Sequence, residues 1–551
     1  MAPIPGLLYV TMQPKPSLPD AQFHDWYNNE HGPTRLRLPF IPNGFRYRAT
    51  DLNGPGKGLP EWVALYDITD TAELTKDTYT RLRTPAVKSQ REKDVMAQIA
   101  VDRRTFDFVE SRQAESFRPL EDLDVEEEGR VLVAVSFSIY PGKREELDKW
   151  YAEEHIKMLS KVPGWLRTRR YVTSSIDEKD ETEYLALHEY APENGLGGEE
   201  FKAATSTKWT DEVMANVVRE KRRRVYKSYY IFGPAPRDLA PLSSPDATPF
   251  SSPDGLTKTF TASGDAGPAI ESYVTTKDGV MLPYRLEGSS EPDAPLILLS
   301  NSILVVWGIW DGFVASFLST AEGKRYRILR YSTRGRSKNA GDQPVTLDVL
   351  ASDVITLLDA FRVRKAAALI GVSLGGATVL NTALKYPGRV AYFVACDTNA
   401  VAPESNRKAW GERIAMAEKE AAREAGERVV GEQLAEATVR RWFVEESYDK
   451  GSMEKEIERV KTMVRTNSLE GFKKSVVALY AYDVREEMKE SKVKGAFVVG
   501  GGDGVLPKTM KQMAADYGNG AEYVVIEGAG HLPMVEKPQE VAEAVLRFLA
   551  A

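Results

Sequence analysis

Cysteine is nearly absent from this chain of 551 residues, where Cys396 stands alone. Its isolation excludes disulfide bonds within the chain and zinc sites built from several cysteines. A single free cysteine is typical of a reducing compartment, so we expect a cytoplasmic protein. No apolar run approaches the roughly 18 residues that a membrane helix needs, and the first residues lack the pattern of a signal peptide. We therefore expect no membrane partner.

A surplus of basic residues is missing too. Lysine and arginine number 73, against 80 aspartates and glutamates, which gives a formal net charge of −7. A surface that binds nucleic acid needs clustered positive charge to neutralise phosphates, so we expect no nucleic-acid partner. The length itself is sufficient for several domains with well-packed cores.

Histidine is scarce as well, and this limits the choice of a general base. One histidine, His531, is alone in the second half of the chain. Histidine is the usual side chain for proton transfer because its pKa lies near neutrality. The other four lie before residue 190, at His24, His31, His155 and His188.

The N-terminal part of the chain repeats a short motif. The pattern W-Y-x-x-E-H occurs at residues 26–31 and again at residues 150–155. A strand-like run precedes each copy, and two further strand-like runs, a helical stretch (71–83 and 199–214) and a last strand-like run follow it. This order is the βαββαβ pattern of ferredoxin-like units. We expect one repeat at 1–118, a second at 119–236, and a linker rich in proline and serine at 237–265.

Through the W-Y-x-x-E-H motif and the Pro-Gly-aromatic segment that follows it, the repeats resemble the EthD-like group of dimeric α+β barrels. The resemblance implies that two ferredoxin-like units pair their sheets into a barrel, and we expect a homodimer or a larger assembly. His31 and His155 form either a second acid–base site or anchors between helix and sheet, and anchoring is the favoured interpretation. Adjacent Glu and His side chains point apart on a helix, so we expect no bound metal.

Residues 266–551 alternate short apolar strands with helices, which indicates a parallel sheet covered on both faces. A stretch rich in Ala, Glu, Arg and Lys, at about 400–490, interrupts this alternation. It predicts several helices inserted between two strands, where they would cap the strand ends. The predicted fold class is therefore α/β with a helical cap, preceded by two α+β repeats.

A G-x-S-x-G motif lies directly after one of these apolar strands and directly before a helix. Its residues are Gly371, Ser373 and Gly375. A serine on such a sharp turn projects its hydroxyl outward, and glycines are needed on both sides because side chains there would clash. The helix N-terminus behind the serine favours developing negative charge. Ser373 is therefore the candidate nucleophile.

Two later residues complete the candidate site. His531 follows the last predicted strand, where the order Ser, Asp, His along the chain places a general base. Asp503 lies after the preceding strand, and a carboxylate there would orient the imidazole and stabilise its charged form. Asp397, at the end of an earlier strand, is the competing acid. The candidate catalytic residues are Ser373, Asp503 and His531.

Together these residues resemble the α/β-hydrolase family, and in particular its 3-oxoadipate enol-lactonase branch. The resemblance includes Leu-Ser-Asn-Ser at 299–302, Ser-Thr-Arg-Gly at 332–335 and Arg-Trp-Phe at 441–443. It implies that the backbone N–H groups of Ile303 and Leu374 form an oxyanion hole, although this chain has Ile-Leu where that branch has Leu-Gly. Ser302, Arg334 and Trp442 are the candidate substrate-binding residues.

These residues predict a serine hydrolase that acts on a small ester or lactone through an acyl-enzyme and without a cofactor. If the substrate is an enol lactone, the released enolate can close a new ring, as in lactone-forming cyclases of fungal biosynthesis. Two alternatives remain. In one, the chemistry lies in the EthD-like half and uses His31 or His155. In the other, the protein is a non-catalytic assembly partner.

Overall fold

The structure, a computed structural model, describes residues 2–122, 129–177, 179, 181–263, 267–449, 451 and 453–550. The chain divides into two units. The first contains residues 1–241 and 245–248, and the second contains residues 242–244 and 249–551. This division is coarser than the four predicted segments, whose boundaries remain predictions.

The strands of the N-terminal unit form a closed antiparallel barrel. Their order around it is β1-β3-β2-β8-β5-β7-β6-β4. The strands are β1 Gly6–Pro14, β2 Asn43–Ala49, β3 Trp62–Ile68, β4 Ile99–Gln113, β5 Val131–Ile139, β6 Trp165–Thr173, β7 Tyr184–Tyr190 and β8 Val218–Ile231.

The order of these strands repeats along the chain. Within β1–β4 the spatial order is fourth, first, third, second, and β5–β8 follow the same order. A repeated order is what a duplicated unit predicts. The assignment of each half as a ferredoxin-like repeat remains a prediction.

Successive residues on the barrel strands face two different cores. Leu7 joins a cluster that includes residues from β1 through β8, such as Phe45 and Leu132, and this cluster fills the barrel. The next residue, Leu8, packs on the other face with Trp26 and Trp62. This period of two is expected of strands buried on both faces.

Helices cover the outer face of the barrel. Each W-Y-x-x-E-H motif forms a π-helical turn, Tyr27–His31 and Tyr151–His155, in which a backbone N–H bonds to the carbonyl five residues earlier. Such turns are rare and are frequent at functional sites. The α-helices are α1 Asp20–Trp26, α2 Gly32–Leu36, α3 Asp77–Thr80, α4 Gln90–Met96, α5 Arg144–Trp150, α6 Ile156–Leu159, α7 Glu199–Thr205 and α8 Lys208–Asn216.

The helical stretch predicted at 71–83 is present but irregular, and a further helix that the sequence did not predict follows it. That segment forms short turns around α3, and the longer helix α4 begins at Gln90. The Ser89 side chain caps it by accepting a hydrogen bond from the backbone N–H of Glu92 at 2.9 Å. A serine followed three residues later by glutamate is a strong start signal.

The second unit is built on a mixed sheet in the order β20-β19-β16-β15-β13-β14-β12-β11-β10-β9. Strands β13 to β16, β19 and β20 are parallel, and the strands from β12 to β9 are antiparallel. The strands are β9 Phe250–Ser251, β10 Lys258–Phe260, β11 Ala269–Thr275, β12 Met281–Gly288, β13 Leu296–Ser300, β14 Arg327–Tyr331, β15 Ala366–Val372, β16 Val390–Cys396, β19 Lys494–Gly500 and β20 Ala521–Ile526, with a separate hairpin of β17 Arg423–Glu424 and β18 Glu427–Arg428.

The segment predicted as a linker therefore contains short strands. Phe250 pairs with Thr259, and Thr259 pairs with Ile270 at the antiparallel edge of the sheet. Thr259 and Ile270 are both buried. The proline- and serine-rich composition gave no sign of it.

A helical insertion lies between β16 and β19, at the position of the predicted cap. It consists of α12 to α17 and the β17–β18 hairpin. None of the helices in the described ranges has the length and apolar character needed to cross a bilayer. The helices of this unit are α9 Asp311–Ser319, α10 Leu347–Ala360, α11 Leu374–Lys385, α12 Asn406–Glu420, α13 Glu432–Trp442, α14 Glu445–Asp449, α15 Glu454–Arg465, α16 Leu469–Ser475, α17 Arg485–Glu490, α18 Leu506–Asp516, α19 Pro533–Glu536 and α20 Pro538–Ala550.

Candidate active site

Ser373 lies on a strained turn between β15 and α11. Its backbone angles are φ 58° and ψ −118°, a region that residues with a side chain rarely adopt. A Cβ at Gly371 would come within 2.1 Å of the Gly375 carbonyl oxygen, and one at Gly375 within 2.3 Å of the Ser300 carbonyl oxygen. The two glycines therefore let the turn close around the serine, as the motif predicts.

The backbone of Ser373 is held on both sides. Its N–H donates to the carbonyl of Cys396 at 2.9 Å, and its carbonyl accepts from the Thr398 hydroxyl at 2.8 Å. Cys396 is the last residue of β16, the neighbouring parallel strand, and Thr398 follows shortly after it. This fixation stabilises a conformation that is unfavourable on its own.

His531 lies in the loop between β20 and α19, and its ring is hydrogen-bonded to Asp503. Nδ1 of His531 is 2.7 Å from Oδ2 of Asp503, and both side chains are largely shielded from solvent. Because an ionised carboxylate can only accept, Nδ1 carries the proton and Nε2 is left as an acceptor. The backbone N–H of His531 donates to the Trp442 carbonyl at 2.7 Å, and the Trp442 ring stacks on the imidazole at 26°.

The competing acid, Asp397, has a different role. It is fully buried, and its Oδ1 accepts from the backbone N–H of Gly500 at 2.9 Å. Burial, followed by the charge of Asp503, raises the pKa of Asp397 well above its ordinary value. Burial therefore favours the neutral form of Asp397. The structure pairs His531 with Asp503.

The same three residues are a candidate metal group among the residues that the structure describes. One possible ligand atom from each of Asp397, Asp503 and His531 lies within 4.8 Å of the others. However, the 2.7 Å separation of His531 Nδ1 and Asp503 Oδ2 is that of a hydrogen bond. The geometry therefore favours an acid–base pair over shared metal ligation.

The sequence predicts the backbone N–H groups of Ile303 and Leu374 as the donors of an oxyanion hole. Leu374 is the first residue of α11, so its N–H has no acceptor within the helix. In the described part of the chain, no acceptor is hydrogen-bonded to the N–H of Ile303 or Leu374. Leu304 has φ 70°, so the loop keeps a glycine-like conformation although it carries leucine there.

A cavity of about 240 Å³ adjoins the three candidate catalytic residues. Ser373, His531, Asp503 and Ile303 line it from the sheet side. Asp397 also borders the cavity, and residues of the cap line much of the remainder, among them Trp410, Arg413, Arg441, Trp442, Leu479 and Tyr482.

Residues 300–544 match the sequence model of the alpha/beta hydrolase family. The C-terminal half of the chain is an α/β-hydrolase. Its relatives include the 3-oxoadipate enol-lactonase 1 of Acinetobacter baylyi, 25% identical over 276 residues, which are 50% of this chain and 96% of the relative. Among solved structures, the enol-lactonase from Burkholderia xenovorans is 26% identical, with 51% of this chain and 100% of that chain covered and a TM-score of 0.45. A hydrolase from Pseudomonas aeruginosa is 31% identical, with 51% and 98% covered and a TM-score of 0.44.

Two arginines of the hydrolase cavity, Arg413 and Arg441, were not among the predicted site residues. The guanidinium of Arg413 lies 4.4 Å from the centre of the Trp410 ring, and that of Arg441 lies 5.9 Å from it. Burial and the neighbouring Arg413 lower the pKa of Arg441 to about 10. Within the described ranges, no carboxylate lies within salt-bridge distance of either guanidinium. The position of Arg441 next to Trp442 in the sequence was the one signal that could have identified it as a cavity residue.

The three predicted substrate-binding residues of the hydrolase lie in different places. Trp442 lines the cavity. Ser302 is fully buried, its hydroxyl has no hydrogen-bond partner in the described chain, and it does not border the cavity. Arg334 does not border it either, because its guanidinium donates to Asp353 at 2.6 Å and to Asp278 at 2.8 Å. Arg334 therefore joins three segments of the fold.

Proposed function

We propose that the α/β-hydrolase half acts on a small ester or lactone with Ser373 as nucleophile. His531 removes the proton from the Ser373 hydroxyl, and the serine oxygen attacks the carbonyl carbon. The resulting oxyanion is bound by the N–H groups of Ile303 and Leu374, each worth about 3 kcal/mol of barrier. His531 then gives its proton to the leaving oxygen, while Asp503 stabilises the charged imidazole.

One observation carries this proposal. The hydrogen bond between His531 and Asp503, at 2.7 Å, lies on the cavity that also contains Ser373 on its strained turn. A nucleophile, a base and an orienting acid from three separate strand ends meet at one place. That convergence is unexpected of residues with structural roles alone.

The arginines support a substrate that carries an anionic group. Arg413 and Arg441 add two positive charges to the cavity wall, and the Trp410 ring that both approach offers an apolar face. A carboxylate would satisfy both guanidinium groups in a setting partly shielded from water. The relative named for 3-oxoadipate enol-lactone hydrolysis agrees with this choice.

The acyl-enzyme has two possible fates. Attack by water releases an acid and regenerates Ser373. If acylation opens an enol lactone, the enolate stays tethered to the acyl group. Return of its oxygen to the acyl carbon only re-forms the starting lactone, whereas addition of its carbon to a second carbonyl group of the substrate leaves an alkoxide, which can attack the acyl carbon, displace the serine oxygen and close a new lactone ring. A closed cap that excludes water favours the second outcome. We include both a lactone hydrolase and a lactone-forming cyclase in the proposal.

We also propose that the N-terminal barrel consists of two ferredoxin-like repeats of the EthD-like type, fused in one chain. The repeated motif and the repeated strand order support this interpretation. Its predicted contribution to the protein is assembly into a homodimer or a larger oligomer, which light scattering of the purified protein would test.

A fluorophosphonate probe tests the nucleophile directly. The wild-type protein is expected to be labelled, and Ser373→Ala is expected to lose the label. A panel of lactones with and without a carboxylate group, analysed for ring-opened and ring-closed products, then distinguishes hydrolysis from cyclisation. His155→Ala is the matched control and is expected to retain turnover. Turnover that survives in Ser373→Ala and disappears in His31→Ala or His155→Ala would contradict the proposal.

A further inference from the structure

The first half of the N-terminal barrel contains a cavity between its outer helices and its sheet. Its volume is about 300 Å³, and it lies beside the π-helical turn that ends at His31. The matching cavity in the second half, beside His155, measures about 50 Å³. Pockets that hold small molecules usually measure several hundred Å³, so the first half has room for a ligand, whereas a cavity of about 50 Å³ is too small for one.

Much of the cavity wall is aromatic and apolar. The Tyr66 hydroxyl donates to the Tyr27 hydroxyl at 3.2 Å, so these two rings are held together in the wall. Aromatic walls of this kind bind flat or branched apolar groups through large contact areas. The apolar and aromatic lining includes Leu8, Val10, Met12, Trp26, Tyr66 and Tyr79.

The charged residues of the wall are mostly cations. Arg35, Arg83, Lys88 and Arg103 line the cavity, and Glu92 is the one acidic residue among the described lining residues. The resulting surplus of positive charge contrasts with the net charge of −7 for the whole chain. A cavity with a surplus of one sign attracts a ligand of the opposite sign.

Two of these cations have no acidic partner. In the described ranges, no carboxylate lies within salt-bridge distance of Lys88 or Arg103, and both side chains are half-buried. The Nε atom of Arg103 is buried without a hydrogen-bond partner, and its guanidinium carbon lies 5.7 Å from the centre of the Tyr79 ring. A buried donor without a partner is costly, and a bound anion would remove that cost.

His31 adds a polar group without adding charge. Its Nδ1 is 3.2 Å from Oε1 of Glu92, and Arg35 lies 3.6 Å from the same oxygen. Burial and the charge of Arg35 lower the pKa of His31 to about 4, so the imidazole is neutral at pH 7. The positive charge of the cavity therefore comes from lysine and arginine alone.

We propose that this cavity binds a small organic anion, with a carboxylate held near Lys88 and Arg103 and an aromatic or branched apolar body against the tyrosines. The proposal uses no residue of the hydrolase site. It therefore holds or fails independently of the function proposed for Ser373.

The second half of the barrel explains why this site is single. Trp150 stacks on His155 with 4.1 Å between ring centres, and His155 Nδ1 is 3.2 Å from the Ala204 carbonyl. Thr210 takes the place of Glu92 three residues after the helix cap. The wall still contains Lys221 and Arg223, so this half supplies matched control residues.

The test is isothermal titration calorimetry of 1-naphthoate into the full-length chain carrying Arg441→Ala, which weakens anion binding at the hydrolase cavity. We expect one site with Kd below about 1 mM. The added pair Lys88→Ala/Arg103→Ala should weaken it at least tenfold, and Lys221→Ala/Arg223→Ala should leave it unchanged. The neutral 1-naphthamide should bind at least tenfold more weakly than 1-naphthoate.

Circular dichroism and thermal melting check that each variant is folded. Lys88→Glu provides a second route, because it reverses one half-exposed charge and should also weaken binding at least tenfold. No binding of 1-naphthoate would overturn the proposal. Equal affinity in the Lys88 and Arg103 variants, or equal affinity for the amide, would overturn it as well.

Discussion

Replacing Asp503 by asparagine tests the central contact of the proposed site. The substitution keeps the size of the side chain and removes its charge. In the wild-type protein, Asp503 faces the imidazole that becomes positive when His531 accepts the serine proton. We expect the variant to fold and to lose most of its turnover.

The magnitude follows from the geometry. The hydrogen-bonded atoms are 2.7 Å apart, and the centres of charge of the two groups are about 4 Å apart, where an effective dielectric constant of about 20 gives an attraction of about 4 kcal/mol. That attraction exists only when His531 is charged, so its loss raises the barrier. A change of this size corresponds to a decrease in kcat of about 10³-fold.

The assay compares kcat for a lactone or activated ester at pH 7 in wild-type and variant proteins. Asp397→Asn is the matched control, because Asp397 is already expected to be neutral and an amide oxygen can accept from the Gly500 N–H in the same way. The control should keep kcat within about threefold of wild type, since a neutral group replaces a neutral group. A larger loss in Asp397→Asn than in Asp503→Asn would refute the reasoning and make Asp397 the orienting acid.

Three further changes have defined outcomes. The double variant Arg413→Ala/Arg441→Ala should raise KM for a carboxylate-bearing lactone by more than about tenfold, because a charge-assisted contact is lost, and should change KM for a neutral ester little. Equal effects on both substrates would contradict an anion site. Gly375→Ala should lower the melting temperature strongly, because its Cβ would lie 2.3 Å from a carbonyl oxygen. Gly388→Ala is the control and should not lower it, because the space around Gly388 is open. Similar melting temperatures of the two variants would contradict the tight turn. The free energy of unfolding of Asp397→Asn should also increase relative to that of the wild type as the pH rises from 4 to 7. Because the pKa of Asp397 is raised in the folded state, the unfolded wild-type chain loses this proton at a lower pH than the folded chain, and the wild type therefore becomes less stable as the pH rises. A stability difference that is the same at pH 4 and pH 7 would contradict it.

The α/β fold of the second half could be predicted from local patterns. A strand, a glycine-flanked serine and a helix specify the turn at Ser373 because the backbone there tolerates few other residues. His531 and Asp503 follow because each lies just after a parallel strand, and such strand ends share one edge of the sheet. The order of residues along the chain left Asp397 as an alternative to Asp503 for the orienting acid. The structure then shows the hydrogen bond of His531 to Asp503.

The cap could not be predicted at the same level. Arg413 and Arg441 belong to two helices, and the face that each helix turns toward the cavity depends on tertiary packing. The sequence therefore gives no sign that both guanidinium groups approach the Trp410 ring. Arg334 is the opposite case, a residue that the sequence predicts in the pocket and that the structure places outside it. Its place after a strand predicts a pocket residue, but Asp278 and Asp353, both distant in sequence, hold its guanidinium. Long-range ion pairs are decided by tertiary structure.

The two barrel halves show that an identical motif does not specify identical chemistry. His31 and His155 end the same π-helical turn in the same repeat position. What separates them is the residue facing each ring: a carboxylate, Glu92, hydrogen-bonds His31, whereas a backbone carbonyl hydrogen-bonds His155. The motif fixes the backbone because its tryptophan and tyrosine are buried in both halves. The side chains around each motif then decide how much space remains, about 300 Å³ beside His31 and about 50 Å³ beside His155.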